Sequence, residues 1–393
     1  MSNKLVILDT MPSPSEFYGT YWNRRPFVVR GAISEVEMSG LITADELAGL
    51  SMEETPRSRM VKTAGELQDW KCRFGPFTEE DYETAGDRDW SLLIQNVEQF
   101  HPDTATLLRH FNFAPRWLMD DIMVSFSAKG GSVGPHIDSY HVFLTQGEGK
   151  RRWKVGREAV EEEVYIKGVD LKVLEQAFEG DEVEMTCGDV LYVPPKFAHE
   201  GVTLESALTF SVGFLGPKTS ELFSAYSQYL SEFEDLDQRY VGEGLNTDSS
   251  GFTLSEGAVS DIRTSLEAHL KSDYFTQWLV EFFTESSHED FGSYSKREEM
   301  LYDDEFEGEL QEGASLIKPE YVKFAITTSR SGGFCLGFDS QSFTLDERLF
   351  PLIHMFMKEE VVNSKSYPDL FAEPAYLEFL LELYNHQALE FAE

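Results

Sequence analysis

Thiol chemistry is almost missing from this chain. Its 393 residues include 3 cysteines, Cys72, Cys187 and Cys335, far apart and with no CxxC spacing. An odd, scattered set supports neither a disulfide framework nor a thiolate zinc site, and it fits a reducing compartment. Positive charge is scarce as well: Lys and Arg number 33 against 70 Asp and Glu, a formal net charge of −37. That balance argues against a surface built to neutralise nucleic-acid phosphates. It suits a basic partner, although an acidic surface also serves solubility alone. No apolar run approaches the roughly 18 residues of a spanning helix. The opening MSNKLVILDT has neither a secretory apolar core nor a small-residue cleavage site. The expectation is a soluble, cytoplasmic protein with no membrane partner. Solenoid repeats and low-complexity tracts are also absent.

What is present is enough for a sizeable core, with 41% hydrophobic and 13% aromatic residues. The length suggests two or three domains. To about residue 120 the pattern mixes short helices and turns; Tyr18 to Arg30 reads as an aromatic helix end, a Pro break and a short strand. From about 121 to 216, brief apolar runs are separated by Gly, Pro and Asp. Ile122 to Ser127, Val142 to Gln146, Arg152 to Val155, Val183 to Met185, Val190 to Val193 and Leu208 to Phe214 read as strands of a small β-barrel or jelly roll. Residues 1–216 are therefore expected to form one catalytic region.

Residues 217–285 read as helical. Leu222, Phe223, Tyr226, Leu230 and Phe233 share one face, and a second helix is expected from about Val259 to Phe283, broken from the first by the Gly/Ser-rich stretch Gly242 to Gly251. These helices suit a bundle, an oligomer interface or a buttress. Thr284 to Ser295 reads as a linker. Residues 296–393 combine helices with strands at Tyr321 to Thr327 and Phe334 to Phe338 around Ser331-Gly332-Gly333, a winged-helix-like pattern. With 8 basic and 20 acidic residues this segment has the wrong sign for DNA.

The chemistry concentrates at Gly134-Pro135-His136-Ile137-Asp138 and at His199. On a strand, residues i and i+2 face the same way, so His136 and Asp138 can both aim into a barrel. His199 follows Gly188-Asp189, an apolar strand and the Pro194-Pro195 stop, which present it on a loop. Two imidazoles and a carboxylate leave coordination positions open and point to non-haem iron, while catalytic zinc accepts the same set. An oxygenase using 2-oxoglutarate also needs a cation for the far carboxylate; Lys150, Arg151 and Arg152 offer one, and strand alternation turns only one of Arg151 and Arg152 inward. Taken singly, each residue is ordinary. His101, His110, His141, His269, His288, His354 and His386 have no comparable neighbours and read as structural or surface residues.

These blocks resemble the JmjC-type ribosomal oxygenases of the cupin-like superfamily, and most of all their bacterial, YcfD-like branch of ribosomal-protein arginine hydroxylases. The resemblance rests on YWNRRPFVVRGA (Tyr21 to Ala32), DDIMVSFS (Asp120 to Ser127), GGSVGPHIDSYHVFLTQGEGKRRWKVG (Gly130 to Gly156), GDVLYVPPKFAHEG (Gly188 to Gly201) and FSVGF (Phe210 to Phe214). It implies a mainly β double-stranded β-helix core, an α-helical dimerisation region and a C-terminal winged-helix α+β domain that does not bind DNA. It further implies Fe(II) held by His136, Asp138 and His199, and 2-oxoglutarate held by Arg151 with Ser125 beside it. The substrate arginine would lie between Tyr140 and Met123, its guanidinium bonded by Asp121 and Ser211. The implied reaction is β-carbon hydroxylation of an arginine in a basic large-subunit ribosomal protein, L-sixteen in related bacterial enzymes, by a homodimer. Asp121 and Met123 are an i, i+2 pair on one strand face, and Tyr140 can stack on a planar cation. Competing readings are a JmjC demethylase acting on methyl-lysine, a non-enzymatic cupin scaffold in ribosome assembly, and a sugar-isomerase cupin, whose His-rich set with a Glu this sequence does not offer.

Overall fold

Short extended segments separated by turn residues, rich in Val, Ile, Phe and Thr, dominate the first half of the molecule. The computed structural model describes residues 4–63, 70–233, 235–242, 245, 251–285, 297, 299–329, 332–358 and 361–392. It divides into two compact units, Met1–Gly216 and Pro217–Glu393. No helix among the described residues is long and apolar enough to cross a membrane.

In the first unit five strands come early: β1 (Val6–Leu8), β2 (Phe27–Val29), β3 (Ser58–Lys62), β4 (Lys71–Phe74) and β5 (Trp90–Ile94). Eight more follow: β6 (Met119–Ser127), β7 (His136–Ile137), β8 (His141–Gln146), β9 (Lys150–Ala159), β10 (Gly180–Met185), β11 (Val190–Val193), β12 (Phe197–Glu205) and β13 (Ala207–Phe214). They form a nine-stranded sheet, β1-β2-β11-β8-β13-β6-β5-β3-β4, and a four-stranded sheet, β10-β9-β12-β7. Val142, Leu144, Leu191 and Val193 of the large sheet pack with Trp153, Val155, Val183, Met185 and Phe197 of the small one. The two sheets form a sandwich with a sheet-rich core. The other face of the large sheet carries an aromatic core in which Phe17, Phe27, Phe111, Phe143, Tyr192, Phe210 and Phe214 are fully buried. Each such ring removed from water contributes about 2–3 kcal/mol.

Three expectations need correction here. Besides the short strand expected before Arg30, which is β2, the first 120 residues supply β1, β3, β4 and β5, and the last three lengthen the large sheet. Trp90–Ile94 is buried at every position, so no alternation marks it as a strand. His199 is not on a loop: Lys196, at φ +69°, turns the chain sharply after Pro195, and β12 begins at Phe197. The strand at Arg152 to Val155 extends over Lys150–Ala159, through pairing with β10 and β12.

In the second unit the first helix is Thr219–Ser231. The single helix expected over Val259 to Phe283 is two, Glu256–Leu270 and Asp273–Thr284, because Ser272 caps the second by accepting the Phe275 N–H. That second helix sets Val280 and Phe283 against Ala325 and Cys335 of a three-stranded sheet, β14 (Ala325–Thr328), β15 (Phe334–Phe338) and β16 (Gln341–Leu345). The first of these strands starts four residues later than Tyr321, which lies in a turn. Helices Asp303–Glu312, Phe350–Lys358 and Pro374–Asn385 complete the core around Phe306, Leu352, Ile353, Leu380 and Leu383. Most of Gly242 to Gly251, the linker beyond Glu285 up to Ser295, and Ser331 lie outside the described residues.

Candidate metal centre and its pocket

β7 and β12 pair antiparallel with His136 directly opposite His199. Cross-strand partners share a face at close range, and the two imidazole rings are 4.2 Å apart. Gly134 (φ +83°) lets the segment before β7 pack closely, since a Cβ there would lie 2.9 Å from both Trp70 and Val173. The Leu174 N–H donates to Pro135 O at 2.7 Å and ties the same segment down. Asp138 follows β7 by one residue, with an oxygen 3.4 Å from His199 Nε2. Ligand atoms of His136, Asp138 and His199 all lie within 4.8 Å of one another. Two ligands about 2.1 Å from one ion at right angles stand about 3 Å apart, so the set is spaced for a single ion.

Protonation is prepared for the same purpose. His136 Nδ1 lies 2.9 Å from Gly134 O, and His199 Nδ1 lies 3.1 Å from Phe197 O. A carbonyl only accepts, so Nδ1 carries a hydrogen in both rings and Nε2 is the nitrogen left to face a metal. Burial, then the adjacent His199, lowers the His136 pKa to about 4, which keeps it neutral. Burial alone would raise Asp138, but the adjacent His199, His136 and Arg59 outweigh it, and the carboxyl is held below its usual range.

The triad opens into a cavity of about 590 Å³ whose walls include Met123, Ser125, Tyr140, Arg151 and Ser211. Arg151 is 3% exposed and donates to Thr209 Oγ1, across on the large sheet, and to Gly201 O of neighbouring β12, both at 3.3 Å. Its Nε is buried without a partner, and its guanidinium sits 4.8 Å over the Trp153 ring. Burial lowers its pKa to about 10, so it remains a cation at neutral pH. A buried cation held only by two long, neutral hydrogen bonds calls for an anion from solution. Gly201 leaves the room: a Cβ there would meet Arg151 Nε at 2.5 Å and Trp153 at 2.9 Å. Arg152 turns outward to Glu184 at 3.1 Å.

On the large sheet Met123 pairs with Ser211 and Ser125 with Thr209. Asp121, two residues from Met123, stands beside Tyr140 at the end of this wall; a Cβ on Gly213 would be 3.3 Å from Asp121 Oδ1 and 3.6 Å from the Tyr140 ring. Burial, then Glu98 and Asp120, raises the Asp121 carboxyl well above its ordinary range, against the Asn96 backbone N–H that bonds it. A cationic group arriving here would reverse that cost. The nine residues singled out in the sequence thus converge on one region. Sequence reasoning missed Arg59, Ser91, Leu93 and Gln95, which reach the cavity from β3, β5 and the residue after it, and also Trp153, Gly201 and Thr209.

Comparison with known proteins now decides the family. The JmjC domain model matches residues 106–222. The ribosomal protein uL16 3-hydroxylase of Escherichia coli is 32% identical over 378 residues, covering 94% of this chain and 95% of its own. The chain belongs to the JmjC ribosomal oxygenases. An X-ray structure of E. coli YcfD superposes with a TM-score of 0.81 at 30% identity, covering 96% of this chain and 97% of that one. The structure of YcfD, a ribosomal oxygenase from the same organism, in complex with cobalt and 2-oxoglutarate gives 0.79, covering 96% and 98%. As a ribosomal oxygenase of this family, the chain is an enzyme with a JmjC catalytic core.

Proposed function

We propose that this ribosomal oxygenase uses Fe(II) and 2-oxoglutarate to hydroxylate the β-carbon of one arginine side chain in the ribosomal protein uL16. The observation that carries the reading is one cavity holding both an open His136–Asp138–His199 set and a buried, uncompensated Arg151. The metal and cosubstrate would supply the oxidising chemistry; the protein binds, orients and excludes. His136, Asp138 and His199 hold the ion. Arg151 takes the far carboxylate of 2-oxoglutarate, with Ser125 beside it. Tyr140 and Met123 flank the substrate side chain, and Asp121 with Ser211 bonds its guanidinium. The Asp121 carboxyl beside Tyr140, at the end of the pocket wall, favours this over a methyl-lysine demethylase, whose substrate needs a cage without strong hydrogen-bond demand. The triad and the anchor, both intact, disfavour an inert scaffold.

The charge of −37 then steers a basic ribosomal protein toward the site, in the cytoplasm, with no direct contact to nucleic acid. Residues 217–285 serve as a dimerisation region: Phe223 (60% exposed) and Leu266 (60%), with Ile262 and Leu270, leave apolar surface on two of its helices that a second copy would cover. Residues 296–393 form an acidic winged-helix-like domain.

The test is incubation of the purified protein with Fe(II), 2-oxoglutarate and uL16. The expected result is succinate formation that depends on uL16, with one arginine heavier by a single oxygen atom. Succinate driven by methyl-lysine peptides instead would transfer the assignment to the demethylase.

A further inference from the structure

Arg59 lines the cavity from β3, outside the residues matched by the JmjC domain model. No hydrogen bond or ion pair to a described residue engages its guanidinium, and its Nε is buried without a partner. Register fixes where it points. Arg59 pairs with Leu93, Leu93 with Ser125, and Ser125 with Thr209, a single cross-strand row. Residues in such a row share a face. Arg151 bonds Thr209, so two guanidinium groups address the cavity from opposite ends of one row. Arg59 is also near enough to act electrostatically on Asp121, Asp138 and Tyr140.

An arginine at this end is puzzling in a pocket that receives arginine, because like charges repel. The geometry of β-carbon oxidation resolves it. The β-carbon is one bond from the substrate's main chain. With the guanidinium held near Asp121 and the β-carbon at the metal, the main chain must cross the cavity close to Asp138. Its carbonyl groups leave water there and need donors. The cosubstrate's far carboxylate already has Arg151; Arg59 is a free donor fork on the substrate side.

We infer that Arg59 binds the substrate's main chain, donating to a backbone carbonyl beside the target arginine, and thereby sets which carbon faces the metal. The inference rests on the hydroxylase reading above. It makes Arg59 a residue for register as well as affinity, since a side chain free to slide presents its γ- or δ-carbon.

The experiment compares wild type, Arg59→Met and Arg59→Lys with a uL16 peptide containing the target arginine. Peptide affinity is measured anaerobically with Fe(II) and 2-oxoglutarate bound; half-saturation by 2-oxoglutarate, product per succinate, and the site of the added oxygen are measured in turnover. For Arg59→Met the expected result is a loss of peptide affinity of about ten- to a hundredfold, unchanged 2-oxoglutarate half-saturation, succinate released in excess of product, and oxygen appearing on carbons beyond the β-position. Arg59→Lys, which keeps charge but not the fork, should recover part of the affinity and less of the site selectivity. Unchanged peptide affinity and a single product site would overturn the inference, as would a defect confined to 2-oxoglutarate. Should Arg59→Met not fold, Arg59→Lys carries the same readouts. If wild type leaves uL16 unmodified, it is the hydroxylase reading that fails, before Arg59 is tested.

Discussion

The small and large sheets treat polar groups in opposite ways. On the small sheet the inward residues are locked by their own backbone: His136 and His199 each donate Nδ1–H to a carbonyl two residues back. Arg151 is fixed by neighbours at Thr209 and Gly201. On the large sheet the pocket wall is built from strands far apart in sequence, with Arg59, Met123 and Ser211 brought together by strand order alone and Asp121 beside Tyr140 at the end of the wall. The first arrangement holds atoms that any substrate requires. The second sets which substrate fits. If that division is right, damage to the small sheet stops all turnover, and damage to the large sheet stops only productive turnover.

The largest effect belongs to the triad. Asp138→Ala or His136→Ala should reduce hydroxylation and succinate formation to background, far beyond the roughly 10- to 100-fold loss that follows removal of an outer partner. Circular dichroism and thermal unfolding should stay near wild type, because the site is open and carries no packing load. Substantial substrate-driven succinate from either variant would break the comparison at its base. Next comes Arg151→Ala, expected to raise 2-oxoglutarate half-saturation by about a hundredfold, as loss of charge-assisted hydrogen bonds would. Gly201→Ala should act in the same direction and less severely, since a methyl at 2.5 Å from Nε displaces the guanidinium without removing it.

This difference between the sheets also governs what the sequence makes legible. His136, Asp138, Arg151 and His199 stand in two compact blocks, where local spacing and alternation already constrain direction; Arg151 turns in and Arg152 out, as strand alternation demands. The strands from Ile122 to Phe214 are readable as short apolar or alternating runs bounded by turn residues, even where, as in β8, β11 and β13, every position is buried. β12 was not: its Gly201 looks like a breaker, yet it is there to leave room for Arg151. Arg59 hides because its place depends on a pairing chain through Leu93 to Ser125. Non-local pairing leaves no local mark. The break between Glu256–Leu270 and Asp273–Thr284 was a capping signal, Ser272 followed by Asp273, masked by continuous apolar periodicity.

Asp121→Ala sharpens the other half of the comparison. It should raise the KM for uL16 by about ten- to a hundredfold, as expected for a lost charge-assisted pair, and leave succinate release in the absence of uL16 at the wild-type level. Side-by-side assay of succinate with and without uL16 checks it. Equal loss of both activities would assign Asp121 to the cosubstrate end and erase the distinction between the sheets.

The smallest effect concerns a third buried histidine, and it separates structural from functional burial. His141, on β8 of the large sheet, stacks on Trp22 with centroids 3.4 Å apart and sets Nδ1 2.8 Å from the Tyr192 hydroxyl. Burial lowers its pKa to about 4 from 6.5. The unfolded chain therefore binds a proton that the fold refuses between pH 6.5 and 4, so stability falls as pH drops through that window. Over its full width the effect amounts to at most about 3 kcal/mol. His141→Phe keeps the stacked ring and removes the titration. Denaturant unfolding at pH 7 and pH 4.5 should show a smaller acid loss in the variant than in wild type, with hydroxylation per folded molecule little changed at pH 7. Equal acid losses would mean that His141 is protonated in the fold, and a collapse of activity would draw it into the chemistry from which its packing separates it.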